Sequence, residues 1–287
     1  MSRGKLTILL GPTAAGKTDL AIEMARSASS PVISCDSRQI FKEMKIGTAP
    51  PSGEQLAAVK HYFIFSHSVA DYYTAGKYEI EALALLEELF KTHDHLIMTG
   101  GSGLYIDALC NGLDDFPPAD QELRERLMHR LESEGLQSLV DELSRVDEES
   151  CGFVDLSNPQ RVVRALEVTL QTGKPYSMWR SNKKKQRPFE IEKIGLSRPR
   201  EVLYERIDRR VDMMVQAGLE EEVRSLEKWR SMPALRTVGY REFFDYFDGR
   251  QDLETTISLI KRNTRHYAKR QITWWGRDKE INWISVP

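Results

Sequence analysis

Apolar and polar positions along the first 100 residues alternate between short apolar runs and longer amphipathic stretches. The apolar runs are KLTILL, PVISCD and HLIMTGG, and helical spacing of apolar positions follows the first run and returns over residues 78–91. Short apolar runs separated by helices are typical of parallel strands whose sheet is covered on both faces. We therefore predict an α/β fold in which a parallel sheet is flanked by helices.

The pattern changes after residue 113, where charged positions become frequent. Residues 121–150 have helical periodicity with Glu and Arg four positions apart, and NPQRVVRALEVTLQTG predicts another helix that ends at Gly173. An apolar strand returns with FEIEKIGL, and further helices are predicted over 200–217, 219–229, 239–247 and 253–270. We predict a catalytic core of residues 1–113 and 189–287, with a helical C-terminal part, interrupted by a helical insertion over 114–188.

A phosphate-binding loop follows the first predicted strand. The segment GPTAAGKT satisfies the pattern G-x-x-x-x-G-K-[ST] and lies between a strand and a helix, which predicts a P-loop NTPase-like core. In such a loop, backbone N–H groups and the helix N-terminus surround an anion, the lysine contacts terminal phosphate oxygens, and the hydroxyl of Thr18 ligates Mg²⁺. The predicted ligands of a nucleotide such as ATP, or of another di- or triphosphate, are Gly11, Pro12, Thr13, Ala14, Ala15, Gly16, Lys17 and Thr18.

Polar residues follow the other two predicted strands of this core. Asp36 with Arg38 and Gln39 follows the second strand, and the segment TGGSGLY with Ser102 follows the third. Ligands of open parallel sheets bind at the carboxyl ends of the strands, so these residues are expected beside the phosphate loop. Asp36 has the chemistry of a general base or of a metal ligand acting through water, and a turn cap is the alternative. For TGGSGLY, a ligand contact and a plain turn into a helix remain equally open.

Composition and charge indicate where the protein is located and what kind of partner it binds. The 287 residues are 40% hydrophobic, contain no run of 18 apolar residues, and begin without the apolar segment of a signal peptide, so we expect a cytoplasmic protein that does not enter a membrane. The net charge is only -2, but 180–188 carries five positive charges and 261–277 carries six, and neither run contains an acid. Basic residues interleaved with Tyr267, Trp274 and Trp275 favour a nucleic-acid partner, although solvated surfaces are an open alternative.

Seven blocks of the sequence together resemble one family. They are GPTAAGKT, DSRQIFKEMKIGTA, GGSGLY, NPQRVVRALE, LYERIDRRVDMMVQAGLEEEV, RTVGYRE and TRHYAKRQITWW. In order and spacing, from Gly11 to Trp275, they resemble the bacterial tRNA isopentenyltransferases, the IPP transferase family. The resemblance implies an Mg²⁺-dependent prenyltransferase, a tRNA dimethylallyltransferase, that moves a dimethylallyl group from dimethylallyl diphosphate to N6 of the adenosine 3′ of the anticodon, in tRNAs that read codons starting with U. It also favours a monomer that binds the tRNA anticodon stem-loop.

The resemblance further implies roles for individual residues. Asp36 is expected to deprotonate the adenine N6, while Thr13 and Arg210 are expected to stabilise the diphosphate leaving group. The residues that the resemblance places against tRNA are Asp36, Ser37, Arg38, Gln39, Ser102, Arg124, Gln160, Arg161, Val162, Val163, Arg164, Arg236, Thr237, Val238, Gly239, Tyr240 and Arg241.

Three other functions share parts of this pattern. A small-molecule P-loop kinase would share the loop and the sheet, but it would not need two basic runs and a long helical insertion. An isopentenyltransferase could instead act on free AMP or ATP, but a mononucleotide is too small to give the helical insertion anything to bind. An RNA-binding regulator with a structural phosphate loop would bind tRNA without transferring a group.

Overall fold

The computed structural model describes residues 4–181 and 183–286, which form a six-stranded sheet and twelve α-helices. In chain order the strands are β1 (Lys5–Leu10), β2 (Val32–Ser34), β3 (His61–Tyr62), β4 (His95–Gly100), β5 (Glu190–Ser197) and β6 (Ile281–Ser285). They lie in the order β3-β2-β4-β1-β5-β6, and every neighbouring pair is parallel. The predicted α/β fold with a P-loop type of parallel sheet is confirmed.

The helices fall into the same order as the sequence pattern predicts, with a few additions. They are α1 (Lys17–Ser27), α2 (Gly53–Ala58), α3 (Ala75–Leu89), α4 (Gly103–Asn111), α5 (Gln121–Glu134), α6 (Leu136–Val146), α7 (Glu148–Cys151), α8 (Pro159–Thr172), α9 (Arg200–Gln216), α10 (Leu219–Ser225), α11 (Tyr240–Phe247) and α12 (Leu253–Trp275). Short 3₁₀ helices cover Tyr176–Trp179 and Glu227–Trp229. Along the described ranges, none of the helices combines the length and the apolar character that crossing a bilayer requires.

Strand β1 lies at the centre of the sheet, which explains its apolar sequence. It pairs with β4 on one side and β5 on the other, so that Leu10 aligns with both Gly100 and Gly195. Five of its six residues are buried, because helices cover both faces of a parallel sheet. The carboxyl ends of β1, β2 and β4 therefore meet at one edge of the sheet, where the polar segments predicted from the sequence follow them.

The chain forms two compact units, which are Met1–Cys110 together with Gln186–Pro287, and Asn111–Lys185. The first unit contains the whole sheet, and the second contains α5 to α8. The second unit has its own apolar core, in which Leu127, Leu139 and Leu143 pack against Val163 and Leu166 of α8. Helix α8 begins at a proline behind an Asn158 cap and ends at Gly173, whose φ of 67° is left-handed.

Two elements at the C-terminal end differ from the sequence prediction. Helix α12 continues to Trp275 instead of ending near residue 270, because no helix-breaking residue interrupts QITWW before Gly276. The edge strand β6 was not predicted, since five residues of mixed polarity next to the helix carry little strand signal. The extension of α12 matters for function because it brings Gln271 to the phosphate loop.

Candidate active site

A cleft of about 800 Å³ lies at the carboxyl edge of the sheet, within the first unit. The loops after β1, β2 and β4 contribute Lys17, Asp36 and Gly101 to its lining. Helices α9 and α12 complete the wall, with Arg206, Arg210, Val211, Met213, Met214, Ile260, Thr264, Tyr267 and Gln271. The polar segments that the sequence pattern placed at one sheet edge therefore surround one cavity.

The phosphate loop has the backbone shape of an anion-binding turn. Gly11 has a φ of 152°, and a Cβ at this position would lie 2.7 Å from the carbonyl oxygen of Leu196, so only glycine fits. Gly16 is left-handed, with a φ of 98°, and caps the N-terminus of α1. Ala14 is also left-handed, at 64°, a conformation that costs a non-glycine residue on the order of 1 kcal/mol. The loop is thus a preformed and slightly strained cradle.

Lys17 is folded back over this loop. Its Nζ donates hydrogen bonds of 2.8 Å to the carbonyl oxygens of both Gly11 and Pro12. Burial, and secondarily the positive charge of Arg210, lowers the pKa of Lys17 from 10.5 to about 8, while Asp36 acts in the opposite direction. Desolvation and a nearby like charge destabilise the protonated form of a lysine. An anionic ligand therefore stabilises the protonated form strongly at such a position.

Three arginines add positive charge around the loop. The Nε atoms of Arg206 and Arg198 donate to the carbonyl oxygens of Ala14 and Ala15, at 2.8 and 2.9 Å respectively. Arg210, on α9, reaches the Thr13 hydroxyl with its Nη1 at 3.3 Å. Burial, and then the neighbouring Arg206, lowers the pKa of Arg210. The structure therefore brings together two residues that the sequence analysis assigned to the same leaving group.

Gln271 connects helix α12 to the phosphate loop. Its Oε1 accepts a 2.9 Å hydrogen bond from the Thr13 N–H, and its Nε2 donates a 2.8 Å bond to the carbonyl oxygen of Gly101. The side chain is buried, and a Cβ on Gly101 would lie 2.4 Å from Nε2. The sequence analysis did not single out Gln271, because a glutamine in a basic helix carries no recognisable motif.

Asp36 occupies a turn in which one of its carboxylate oxygens is fixed by backbone. Oδ1 accepts hydrogen bonds from the N–H groups of Arg38 at 2.8 Å and Gln39 at 3.2 Å. Along the described chain, Oδ2 has no hydrogen-bond partner, and the residue lines the cleft. Both interpretations of Asp36, turn cap and cleft base, are therefore compatible, since each uses a different oxygen.

Ser102 lies behind the cleft. It is buried, and its Oγ accepts the Ser37 N–H at 2.8 Å and donates to the Ser37 hydroxyl at 3.0 Å. Tyr267 also bonds to Ser102, and burial raises the pKa of the Tyr267 phenol to about 12. Ser102 therefore supports the segment after β2 and presents almost no surface of its own to a ligand.

The predicted RNA-contacting residues of the first unit have unequal access to solvent. Arg236 and Arg241 are exposed, and Thr237, Val238 and Gly239 between them line the cleft. Tyr240 is fully buried, and its hydroxyl donates to Glu222 at 2.7 Å, so its side chain packs in the interior and its contact with RNA stays a prediction. Arginines on either side of a cleft wall suit a phosphate backbone, whereas the tyrosine has a packing role.

The predicted RNA-contacting residues of the helical unit also divide in two. Gln160 and Arg161 are exposed at the start of α8, but Val162 and Val163 are wholly buried in the core of the unit. Both apolar side chains lie on the face of α8 that packs into this core, and their contact with RNA stays a prediction. The remaining pair, Arg124 and Arg164, is partly buried against the carboxylate of Glu167.

A basic ridge, which we define as Arg262, His266, Lys269 and Arg270, lies exposed along α12. The spacing of these residues places them on one face of the helix. In the described parts of the chain, Arg262, Lys269 and Arg270 have no carboxylate partner, whereas Lys261 and Arg265 are paired with Asp212 and Asp208. Unpaired cations on one face are suited to a polyanion.

The described residues also bear on the predicted metal. Among them, no group of three His, Cys, Asp or Glu side chains is placed to hold an ion. Thr18 lines the cleft next to Lys17, and a single hydroxyl together with phosphate oxygens and water suits Mg²⁺, which keeps several of its waters. The donor set thus fits a metal that arrives with a diphosphate.

Comparison with known proteins matches the chain to a family model and to relatives of similar length. The family model described as IPP transferase matches residues 39–278. A "tRNA dimethylallyltransferase 1" from Bacteroides fragilis is 49% identical over 284 residues, which are 99% of this chain and 94% of that protein. A "tRNA dimethylallyltransferase" from Christiangramia forsetii is 50% identical over 96% of this chain and 92% of its own length.

Solved structures with the same fold include proteins of similar description. A full-length tRNA isopentenylpyrophosphate transferase from Bacillus halodurans superimposes with a TM-score of 0.72 at 34% identity, covering 99% of this chain and 90% of that one. A eukaryotic dimethylallyltransferase, described as acting on tRNA, reaches a TM-score of 0.80 at 25% identity and covers 98% and 74% of the two chains.

Proposed function

Because the chain belongs to the IPP transferase family, we infer that it is an enzyme that transfers a dimethylallyl group to tRNA. The observation that carries this inference is the cleft itself, in which a phosphate cradle and an aspartate with one unengaged oxygen face the same cavity. A diphosphate ester and a nucleophile needing a base would be brought together there. The resemblance supplies the acceptor, N6 of the adenosine 3′ of the anticodon, in tRNAs that read codons starting with U.

The donor that fits the cradle is dimethylallyl diphosphate. In the reaction the allylic C–O bond breaks, both its electrons leave with the diphosphate, and the allylic carbon develops positive charge. Lys17 and Arg210 line this cleft, and in this proposal they and the loop N–H groups stabilise the growing negative charge; preorganised donors of this kind lower a barrier by several kcal/mol. Arg210 and Thr13 act together on the leaving group, since they are in hydrogen-bond contact.

Mg²⁺ is the cation that we propose for this site. When bound, it would neutralise part of the diphosphate charge, with the Thr18 hydroxyl as its protein ligand. Thr18 is suited to this role because it is the second residue of α1, directly after Lys17 and in the first turn of the helix that follows the phosphate loop.

Asp36 is the base in this proposal. The adenine N6 lone pair is delocalised into the ring, so loss of an N6 proton to the aspartate as the N–C bond forms increases the nucleophilicity of the amine, typically by about 100-fold or more. Backbone bonds to Oδ1 fix the orientation of the carboxylate, and Oδ2, which has no partner among the described residues, would accept the N6 proton. The proton leaves on Asp36, and the products are N6-(dimethylallyl)adenosine and diphosphate.

The exposed cations provide a surface for the RNA. In the first unit these are Arg236, Arg241 and the basic ridge, and in the helical unit Arg161 is the counterpart. An adenine must leave its stack to enter a cleft, and single-stranded anticodon loops allow this at low cost.

We also propose that the enzyme acts as a monomer in the cytoplasm, where its tRNA substrate is found.

Mass spectrometry of an anticodon stem-loop tests the proposal. Incubation with the protein, Mg²⁺ and dimethylallyl diphosphate is expected to add one dimethylallyl group, about 68 Da, to the adenosine 3′ of the anticodon. Asp36→Asn is expected to lower the single-turnover rate by at least about 100-fold while stem-loop affinity stays within a few-fold. Asp94→Asn, an exposed aspartate at the opposite end of β4, is the control and should transfer normally.

Three outcomes would overturn this function. Tight binding of ATP without binding of dimethylallyl diphosphate would identify a small-molecule kinase. Equal turnover of free AMP and the stem-loop would identify an enzyme of free nucleotides. Stem-loop binding with no transfer would identify an RNA-binding regulator.

A further inference from the structure

A carboxylate outside the reaction centre holds the loop that forms one wall of the cleft. Glu222, on α10, accepts the N–H groups of three consecutive residues, with distances of 2.7 Å for Lys45, 2.8 Å for Ile46 and 3.0 Å for Gly47. Successive N–H groups that converge on one point form a nest, which favours an anion. Glu222 is therefore the built-in anion of this nest.

Tyr240 holds the same carboxylate, and we call Glu222, Tyr240 and the loop of residues 45–49 the clamp. Its hydroxyl donates to Glu222 Oε1 at 2.7 Å, so the carboxylate accepts four hydrogen bonds. Its ring packs directly on the loop, because a Cβ at Gly47 would lie 2.7 to 2.8 Å from three atoms of the tyrosine. Tyr240 begins α11, directly after the cleft-lining residues Thr237, Val238 and Gly239.

The clamp continues from the loop to the proposed base. Gln39 Nε2 donates to the carbonyl oxygens of Thr48 at 3.2 Å and Ala49 at 3.0 Å, the two residues that follow the nest. The backbone N–H of the same Gln39 donates to Asp36 Oδ1 at 3.2 Å. An unbroken series of direct contacts therefore joins Glu222 to the carboxylate of Asp36 without involving the phosphate loop.

We propose that Glu222 is a positioning residue for the transfer step, acting through the 45–49 loop and Gln39 on Asp36. This proposal rests on the proposed function, since it assigns a role in that reaction. The carboxylate needs all of its acceptor positions, because four donors face it from the loop and the tyrosine. An amide at residue 222 would turn two N–H groups toward those donors, release the loop and let the aspartate lose its fixed orientation.

The test is the kinetics of Glu222→Gln, with Glu221→Gln as the matched control. Glu221 is the exposed neighbour in the same turn of α10, so the two variants make the same chemical change. For Glu222→Gln we expect kcat per active enzyme to fall by about 10-fold or more, while KM for dimethylallyl diphosphate changes less than about two-fold. Active enzyme is counted by the stoichiometry of diphosphate binding, which a merely unstable variant would lower.

A double-mutant cycle with Tyr240→Phe provides the second readout. Phenylalanine keeps the ring against Gly47 and removes one of the four donors, so a smaller loss of kcat is expected. Because both side chains act in one clamp, the double variant should lose less than the product of the two single losses. Multiplying losses, or an unchanged kcat for Glu222→Gln, would overturn the positioning role. Failure of the proposed function itself is distinguishable, since the unaltered protein would then transfer nothing.

Discussion

At the scale of single residues, the site is governed by charges that the chain holds close together before any ligand arrives. Lys17 and Arg210 repel each other beside the phosphate loop, and both have lowered pKa values that are caused chiefly by burial. Desolvated cations of this kind destabilise the ligand-free site. The more they destabilise it, the more strongly they attract a diphosphate. The same principle makes the binding of the diphosphate dependent on pH.

The lowered pKa of Lys17 gives the first prediction. Only the protonated lysine attracts the diphosphate, so affinity is full below the free-enzyme pKa of about 8 and falls by about tenfold per pH unit above it. The same shift makes folding stability rise with pH between about 8 and 10.5, because the unfolded chain binds more protons there. Titration calorimetry with dimethylallyl diphosphate from pH 7 to 9.5 measures the first effect.

Lys17→Met is the control for this measurement. It removes the titrating group, so binding should be weaker at every pH and should not change with pH across the same range. An affinity of the unaltered protein that is flat from pH 7 to 9.5 would contradict the role of Lys17 as the pH-sensitive ligand.

At the scale of elements, the positions of residues along a helix decide what their side chains do. Arg124 on α5 and Arg164 on α8 were predicted to contact RNA, and both also form ion pairs with Glu167, which is fully buried on α8. Glu167 Oε1 also accepts the N–H of Asp120, and Arg164 donates to the carbonyl oxygen of Pro117. These bonds hold the DDFPPAD segment against α8, so the two arginines also stabilise the helical unit.

Glu167→Gln is predicted to destabilise the helical unit by about 3 kcal/mol, because two partly buried guanidinium groups lose their compensating charge. Hydrogen exchange of peptides from α5, α6 and α8 measures the free energy of opening of this unit. Glu132→Gln, an exposed glutamate on α5, is the matched control and should leave exchange unchanged. If the two variants exchange alike, the network around Glu167 contributes little to stability.

At the scale of the whole molecule, a chain with a net charge of -2 recognises a polyanion through the distribution of its charges. Many arginines and lysines are paired on the surface, whereas three cations of the basic ridge lack a carboxylate partner within the described ranges and lie together on one face of α12. Local concentration of unpaired charge, rather than net charge, sets the electrostatic part of RNA affinity.

Salt dependence of stem-loop binding tests this distribution. The triple variant Arg262→Gln, Lys269→Gln and Arg270→Gln is expected to weaken binding and to reduce the slope of log affinity against log salt by about 2, since each lost phosphate contact contributes about 0.7. Arg209→Gln removes an exposed arginine that is already paired with Glu205, and should leave the slope unchanged. Equal slopes for the triple variant and the unaltered protein would place the RNA elsewhere.

The sequence by itself determined the parallel character of the sheet and four of its strands, β1, β2, β4 and β5, together with the phosphate loop and the edge at which Asp36 meets Lys17, because apolar runs, glycines and a motif are local signals. It also ordered the helices, although α12 was predicted to end near residue 270 and actually ends at Trp275. Burial within those helices was less visible, since Val162, Val163 and Tyr240 belong to blocks that resemble RNA-binding segments but lie in the interior.

Only the tertiary structure decided which polar side chains form hydrogen bonds with distant segments. Gln271 is 258 positions from Thr13, and Glu222 is 175 to 177 positions from the loop that it holds. Glutamine and glutamate are common on helix surfaces, so neither has a local signal, and their roles arise when α12 and α10 pack beside the cleft. Sequence patterns specify what a short segment becomes, whereas a hydrogen bond between distant segments exists only after the chain has folded.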